Sequence, residues 1–372
     1  MKDTNNKLLT RDAFREGCLK RDNYKCLFCD CKDNLSVHHI IERRLWPDEG
    51  YYFSNGATLC TQHHVLAEQT VLSVEEICEK IGVKKPLYPE HLYDGCRYDK
   101  WANEILSNGM RVRGELFYDD SVQKILEPVI HLFTKYVKYP RTLHLPFSAS
   151  LLAGLSPEDR SHKNLNHFEG KRIILMLKMD GENTTILNDH FHARSVDSQN
   201  DFTRHWVANF HQRIKYLIPD GWRICAENLW ARHTVPYEDE MYIDGHYNPL
   251  RPFSIWNEKN ECLAWDETVE WFRLFEESMR SDETDENKKN SIFFRSPKVE
   301  YDGIFDMDML KSFYKDRKYD PEKVEGFVIR VADSFHYKEF SKWVGKYVTK
   351  EFKEKLNNSH GHWRKFGIQK NG

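Results

Sequence analysis

The chain lacks any apolar run of membrane-spanning length, which takes about 20 consecutive apolar residues. Its first ten residues, Met1 to Thr10, are polar and lack the apolar centre of a secretory signal. These two absences predict a cytoplasmic protein with no membrane partner. Positive charge is not in excess either: 30% of the 372 residues are charged, yet the formal net charge is -3. That excludes a uniformly basic coat for nucleic acid. A grip on a polyanion would need local clusters, such as Glu42-Arg43-Arg44 or the run Lys346 to Lys355. Taken alone, each reads first as a solvated helix face. Repeats at solenoid periods are missing. An odd count, 9 cysteines, in a reducing compartment argues against a disulfide framework. The length fits two domains better than one, with ample core and no need of staples.

Three stretches differ in character. Residues 1–82 are rich in Cys and His. Residues 83–139 follow a helical period, with apolar Ile105, Val122, Ile125, Val129, Leu132 and Phe133, and are punctuated at the start by Pro86 and Pro89. Residues 140–372 change to short β-rich runs: Arg172 to Leu177, Trp222 to Ala226, Gly326 to Val331. Ser281 to Asn290 is charged and apolar-poor, which predicts an exposed loop.

In the first stretch, Cys26 and Cys29 form a C-x-x-C pair, and Cys60 and His63 form a C-x-x-H pair some thirty residues later. Two such knuckles complete a tetrahedral zinc shell. A closed four-ligand site is structural, holding a segment too small to bury its own core. Cys31 could compete for the place of Cys29. The alternative for all of them is the buried free thiol, the expectation for Cys18, Cys78 and Cys96.

Beside the knuckles lie His38-His39-Ile40, Asn55 and His64. Over Asp22 to Ala67 this order and spacing resemble the HNH nuclease family. The resemblance implies a ββα-metal fold, with His39 as the general base, His38 and His64 holding a divalent cation, and Asn55 orienting the base. The chemistry is coherent, because phosphodiester hydrolysis needs an activated water and a cation against developing charge. His38 stands where an acidic residue is common in that family. HNH-like modules also persist as nucleic-acid-binding fingers, so cleavage and mere binding both stay open.

In the third stretch, Lys178-Met179-Asp180-Gly181-Glu182-Asn183 follows the apolar run Ile173 to Leu177. A lysine closing a buried strand is partly desolvated, which predicts a neutral, nucleophilic amine. Gly181 lets the backbone approach a nucleotide. Downstream come His192-Ala193-Arg194-Ser195, Ala226-Glu227-Asn228-Leu229, Phe253-Ser254-Ile255-Trp256, Glu325-Gly326-Phe327-Val328-Ile329-Arg330 and Ser341-Lys342-Trp343-Val344-Gly345-Lys346-Tyr347-Val348. In this order the segments resemble the RNA ligase branch of the covalent nucleotidyltransferases. The resemblance implies that Lys178 attacks the α-phosphate of ATP and carries AMP, with Asp180 and Gly181 completing its motif. Arg194 would contact ribose or phosphate, and Glu227 ribose or a metal. Trp256 would stack on adenine; because Asn257 replaces the commoner Asp, Phe253 remains a second candidate. Glu325 would help hold magnesium or manganese. The two closing lysines stand further apart than is usual in the family, so Lys342, Lys346 or both could reach the phosphate, and Lys346 is favoured. Pro140 to Pro146 resembles the family's opening segment.

DNA ligases and capping enzymes append an OB fold after the last lysine motif. Only residues 347–372 follow here, which favours an RNA ligase. The expected architecture is α+β. It comprises an N-terminal ββα-metal zinc module (1–82), a helical connector (83–139) and an antiparallel-sheet nucleotidyltransferase domain without a C-terminal OB fold (140–372). The expected activity is ATP-dependent joining of 5′-phosphate and 3′-OH ends in nucleic-acid repair. RNA is the expected partner, as a nicked duplex or broken ends, and no obligate protein partner is evident. The alternatives are a nuclease-ligase acting on foreign or mobile nucleic acid, or a zinc module that only clamps the substrate.

Overall fold

A computed structural model describes residues 7–92, 95–149, 160–196, 198, 201–285, 289, 293–315, 324–358 and 368–372. The chain divides into two compact units, Met1–Val137 and Lys138–Gly372. Among the described residues no helix is long and apolar enough to cross a membrane.

The first unit opens with helix α1 (Arg11–Arg21), whose first turn is capped when the Thr10 side chain accepts from the Ala13 N–H. Strands β1 (Leu35–His39) and β2 (Gly56–Cys60) pair antiparallel, with Leu35 opposite Cys60 and His39 opposite Gly56. Helix α2 (Thr61–Glu68) follows at once, giving a β-β-α order. Helix α3 (Val74–Lys80) begins with a reciprocal Ser73–Glu76 capping box. Cys26, Ile40, Ile41, Leu59, Ala67 and Ile77 are among the residues of one shared core.

The stretch expected to be a helical connector is only half helical. Its first half is a three-stranded antiparallel sheet of short strands, β3 (Arg97–Tyr98), β4 (Glu104–Ile105) and β5 (Arg111–Val112). A buried Asp99 organises it, accepting from the backbone N–H groups of Trp101 and Asn103 and from the Asn103 amide. Ile105 thus belongs to a strand. The helical period is real only from Val122 onward. Helix α4 (Asp120–Leu126) and a 3-10 turn (Glu127–Leu132) bury Val122, Leu126, Val129 and Phe133 in one cluster.

The second unit carries two larger antiparallel-rich sheets. Its strands, in chain order, are β6 (Leu143–His144), β7 (Arg172–Lys178), β8 (Glu182–Leu187), β9 (Phe191–Ala193), β10 (Arg223–Asn228), β11 (Tyr242–Ile243), β12 (His246–Tyr247), β13 (Leu250–Trp256), β14 (Glu261–Cys262), β15 (Val299–Ile304), β16 (Gly326–Val331), β17 (Phe335–His336) and β18 (Val344–Val348). One sheet runs β15-β7-β16-β18-β6 and the other β17-β14-β13-β10-β8-β9. The three strands expected from sequence are β7, β10 and β16. Helix α5 (His205–Ile214) and helix α6 (Trp265–Ser281) pack on the second sheet's core. In α6 the buried residues Trp265, Thr268, Phe272, Phe275 and Met279 recur at helical spacing. Ser281, assigned to a loop from sequence, closes that helix. Residues 286–288 and 290 of the same expected loop lie outside the described residues.

Candidate active site and metal centres

Strand β7 is buried along its middle and ends at Lys178. Its neighbour β16 pairs Gly326 with Lys178 and Val348 with Gly326, so Glu325, just before β16, arrives beside the lysine. Nζ of Lys178 lies 2.6 Å from Oε2 of Glu325. A Cβ on Gly326 would stand 1.9 Å from the Tyr347 carbonyl oxygen, so only glycine lets these strands meet here. From β7 the chain turns at Gly181 into β8. A Cβ at Gly181 would lie 2.6 Å from the Asn228 carbonyl oxygen, at the end of β10. That close approach lets the Gly181 N–H donate to Oε1 of Glu227 at 3.1 Å.

Asp180 is fixed on the other side of the turn. Its Oδ2 accepts from the backbone N–H groups of Thr234 (2.7 Å) and Val235 (2.9 Å), and its own N–H donates to the Tyr237 hydroxyl at 2.8 Å. Lys178, Glu325, Glu227 and Asp180 therefore share one electrostatic neighbourhood. Burial lowers the Lys178 amine's pKa, but Glu325 foremost, then Glu227 and Asp180, outweigh burial and hold it above the ordinary lysine range. Desolvation alone would favour the neutral amine expected from sequence; the surrounding carboxyls, Glu325 foremost, favour the charged form instead. Burial pushes the Glu227 carboxyl up to about 8, against the pull of Lys178. Burial likewise raises Glu325 and Asp180. Three acids around one ammonium make a hard-oxygen set suited to magnesium shared with phosphate oxygens, the usual way that ion is held.

The closing lysines separate in space. Lys346 on β18 is paired with Val328, and Val328 with Met176, two residues from Lys178 on β7. Side-chain alternation puts Lys346 on the Lys178 face of the sheet, and its charge bears on Glu325. Lys342 instead sits in the short helix Phe340–Trp343, its ammonium 4.2 Å from the centre of the Trp343 ring and close to His167. The structure does not bring Trp256 to the pocket. It is 1% exposed, donates to the Ser254 hydroxyl, and is boxed by Phe335, Tyr337, Phe340 and the Arg223 guanidinium. A ring on this alternation faces the core, whereas Phe253 sits at the one irregularity in the β10–β13 ladder, between Ser254 and Pro252. Phe253, partly buried, packs both against the cluster of Ile174 and Met176, on the Lys178 face of β7, and against the core cluster that holds Trp256. Arg194 directly follows β9, whose Ala193 pairs with Thr184. Asn183, quoted only as part of the lysine motif, shares a ladder step with Glu227, and its Oδ1 is buried with no hydrogen-bond partner among the described residues.

In the first unit the four expected zinc ligands converge. The ligand atoms of Cys26, Cys29, Cys60 and His63 all lie within 4.8 Å of one another. His63 Nδ1 is 3.4, 3.6 and 3.2 Å from the sulfurs of Cys26, Cys29 and Cys60, and Cys29 Sγ is 3.9 Å from Cys60 Sγ. Tetrahedral zinc with ordinary bond lengths needs roughly 3.6–3.8 Å between such ligands. Cys31, the competitor, donates to the Asp33 carbonyl instead. Hydrogen bonding from the His63 backbone, ahead of burial, draws the Cys60 thiol down to about 6, toward the thiolate a metal needs.

A second cluster joins His38, His64 and Glu68. Glu68 Oε1 lies 3.2 Å from His38 Nδ1 and 3.2 Å from His64 Nε2. Sequence reasoning missed Glu68, although it follows His64 by one helical turn and that spacing is legible. It also missed Lys100, which no local pattern announces. The Lys100 ammonium is 4% exposed, 3.1 Å from Glu68 and 3.4 Å from Glu42, and donates to the His39 carbonyl at 2.9 Å. Burial, then the Lys100 charge, lowers His38 to about 3 and His39 to about 4. The His39 ring stacks on Phe14. Asn55 accepts from the Ile41 N–H and donates to the carbonyls of Ile41 and Gly50, so it ties down the segment after His39. A hollow of about 400 Å³ opens beside the cluster, with Ser36, His64 and Glu68 among its lining residues.

No curated protein sequence matches the chain. Among solved structures, a variant of the Naegleria gruberi RNA ligase with ATP and manganese is similar at 13% identity and a TM-score of 0.37, over 60% of this chain and 58% of that one. The same ligase with pyrophosphate is similar at 12% identity and a TM-score of 0.36, over 59% and 60%. The chain thus spans about three-fifths of the length of these relatives. Residues 171–348, from the threshold of β7 to the end of β18, match the RNA ligase family.

Proposed function

We propose that the chain is an ATP-dependent RNA ligase, with residues 140–372 as its nucleotidyltransferase domain. The observation that carries this is Lys178 held against Glu325, with Glu227 and Asp180 around it, inside the segment that matches the family. In the first step the neutral Lys178 amine attacks the α-phosphorus of ATP. A phosphoramide bond forms, the bond to the β-phosphate oxygen breaks, pyrophosphate leaves and the amine's proton goes to solvent. AMP then passes to a 5′-phosphate of RNA, which restores the lysine. Finally a 3′-OH attacks that activated phosphate, forms the phosphodiester and expels AMP. Magnesium or manganese, held by Glu325 and Glu227, would supply positive charge against the charge developing on phosphate oxygens. Lys346 supports the α-phosphate from the same face, Phe253 offers the base its platform, and Arg194 contacts ribose or phosphate. The substrates are nicked duplexes or broken ends met in repair. The test is the intact mass of the protein before and after ATP with magnesium, beside Lys178→Ala. Gain of one AMP by the wild type only is the expected result; an equal gain by both proteins would refute the assignment of Lys178.

For residues 1–82 we infer a structural zinc and a nucleic-acid clamp in preference to an active HNH nuclease. Lys100 supports this reading, because its ammonium already neutralises the carboxylate that a catalytic cation would use. Supplied with magnesium or manganese, the full chain should leave single- and double-stranded DNA and RNA uncut. Cleavage that His39→Ala abolishes, with sealing retained, would establish the nuclease and the reading of a nuclease-ligase aimed at foreign nucleic acid.

A further inference from the structure

Residues 368–372 lie along the loop that leaves β10. The Arg232 N–H donates to the Gln369 carbonyl at 2.8 Å, the Asn371 N–H donates to the Trp230 carbonyl at 3.0 Å, and an antiparallel bridge joins Ala231 to Lys370. Tyr247 pins the segment from the other side, its hydroxyl donating to the Asn371 carbonyl at 2.9 Å. The Asn371 side chain is 2% exposed and spans the loop. Its amide donates to the carbonyls of Leu229 (2.7 Å) and Ala231 (3.4 Å), and its Oδ1 accepts from the Tyr237 N–H at 3.2 Å. One side chain thus closes loop 229–237 across both ends.

That loop holds Asp180. Thr234 and Val235 donate to its carboxylate, and the Tyr237 hydroxyl accepts its N–H. The loop also continues directly from the strand that carries Glu227. Without Asn371, two buried carbonyls and one N–H would lose their partner, a loss that opens a loop more readily than it unfolds a domain.

We propose that Asn371 is a positioning residue for lysine adenylation. It clamps loop 229–237, and through that loop it fixes Asp180 and the turn that aims Lys178 at the α-phosphorus. This rests on the ligase reading above. Small misplacements at a reacting centre cost rate more than affinity, on the order of a hundredfold for 1 Å.

The test is single-turnover formation of the lysine–AMP adduct by the full chain, measured over a range of ATP concentrations with magnesium. Asn371→Ala should lower the saturating rate by about tenfold or more, and leave the half-saturating ATP concentration within about threefold. Asn371→Asp keeps an oxygen toward Tyr237 but sets a carboxylate against two carbonyls, and should be at least as slow. Tyr247→Phe removes one hydroxyl at the edge of the clamp and decides the matter if the Asn371 variants fold poorly; a saturating rate about two- to fivefold below wild type is expected. Folded variants that adenylate at the wild-type rate overturn the inference and leave the ligase reading standing, as does a loss seen wholly as weaker ATP affinity. A wild type that takes up no AMP overturns the ligase reading and this inference with it.

Discussion

The acids around Lys178 hold its amine above the ordinary lysine range, so the proposed attack on ATP requires the amine to give up a proton first. At saturating ATP the adenylation rate should climb with pH between about 6 and 8, as the neutral fraction grows. A flat profile would mean that proton loss is not limiting. Glu227 carries the opposite liability. Its carboxyl is raised to about 8 in the folded protein, so the folded state keeps a proton that an unfolded chain releases near its ordinary carboxylate value. Stability from this group is therefore full in acid and lost as pH rises through the interval up to about 8. Glu227→Gln should melt higher than wild type at the alkaline end and close to it at the acid end, while losing ligase activity. A wild-type melting curve independent of pH over that range would show that the carboxyl is not so perturbed. Of the two closing lysines, Lys346→Ala should lower adenylation by about a hundredfold or more and Lys342→Ala by only a few fold. The reverse order in the same mass assay would move the phosphate to the short helix Phe340–Trp343.

Strand geometry decides which side chains reach the pocket. Trp256 lies wholly in the core, whereas the partly buried Phe253, at the irregularity between β10 and β13, also borders Ile174 and Met176 on the Lys178 side. Phe253→Ala should raise the ATP concentration needed for half-saturation with modest effect on melting. Trp256→Ala removes a fully buried indole and should cost about 3–5 kcal/mol of stability, read by denaturant unfolding. Comparable stability losses in both variants would return Trp256 to candidacy as the base platform. The glycines on either side of the lysine are equally tied to strand spacing. Gly326→Ala puts a methyl against the Tyr347 carbonyl, and nothing flexible lies there to yield. Both melting temperature and adenylation should fall together, because β16 separates from β18 where Glu325 enters.

At the scale of the whole molecule, the Cys26–Cys29–Cys60–His63 cluster predicts that a chelator strong enough to strip zinc lowers the melting transition of residues 1–137. Adenylation of Lys178, in the other unit, should survive that treatment; its loss would show that the units depend on each other. The motifs around Lys178, Glu227 and Glu325, the Cys and His residues of the proposed zinc site and the strands β7, β10 and β16 were legible in the chain. Each depends on neighbours a few residues away: a buried strand, a tight turn, a knuckle of two ligands. The first half of the expected helical connector misled, because two-residue strands are too short to show a period and the turn between them is set by the N–H groups of Trp101 and Asn103 donating to the Asp99 side chain, an alternative to a helix. Lys100 beside Glu68 and Asn371 across loop 229–237 join residues far apart in the chain, and no local spacing encodes such meetings. The charge state of Lys178 belongs with them. Sequence determined that a lysine ends a buried strand with Asp180 two residues on, whereas folding brought two distant carboxyls, Glu227 and Glu325, beside it and so set the balance of its protonation, since electrostatic energy depends on distance in space and on burial.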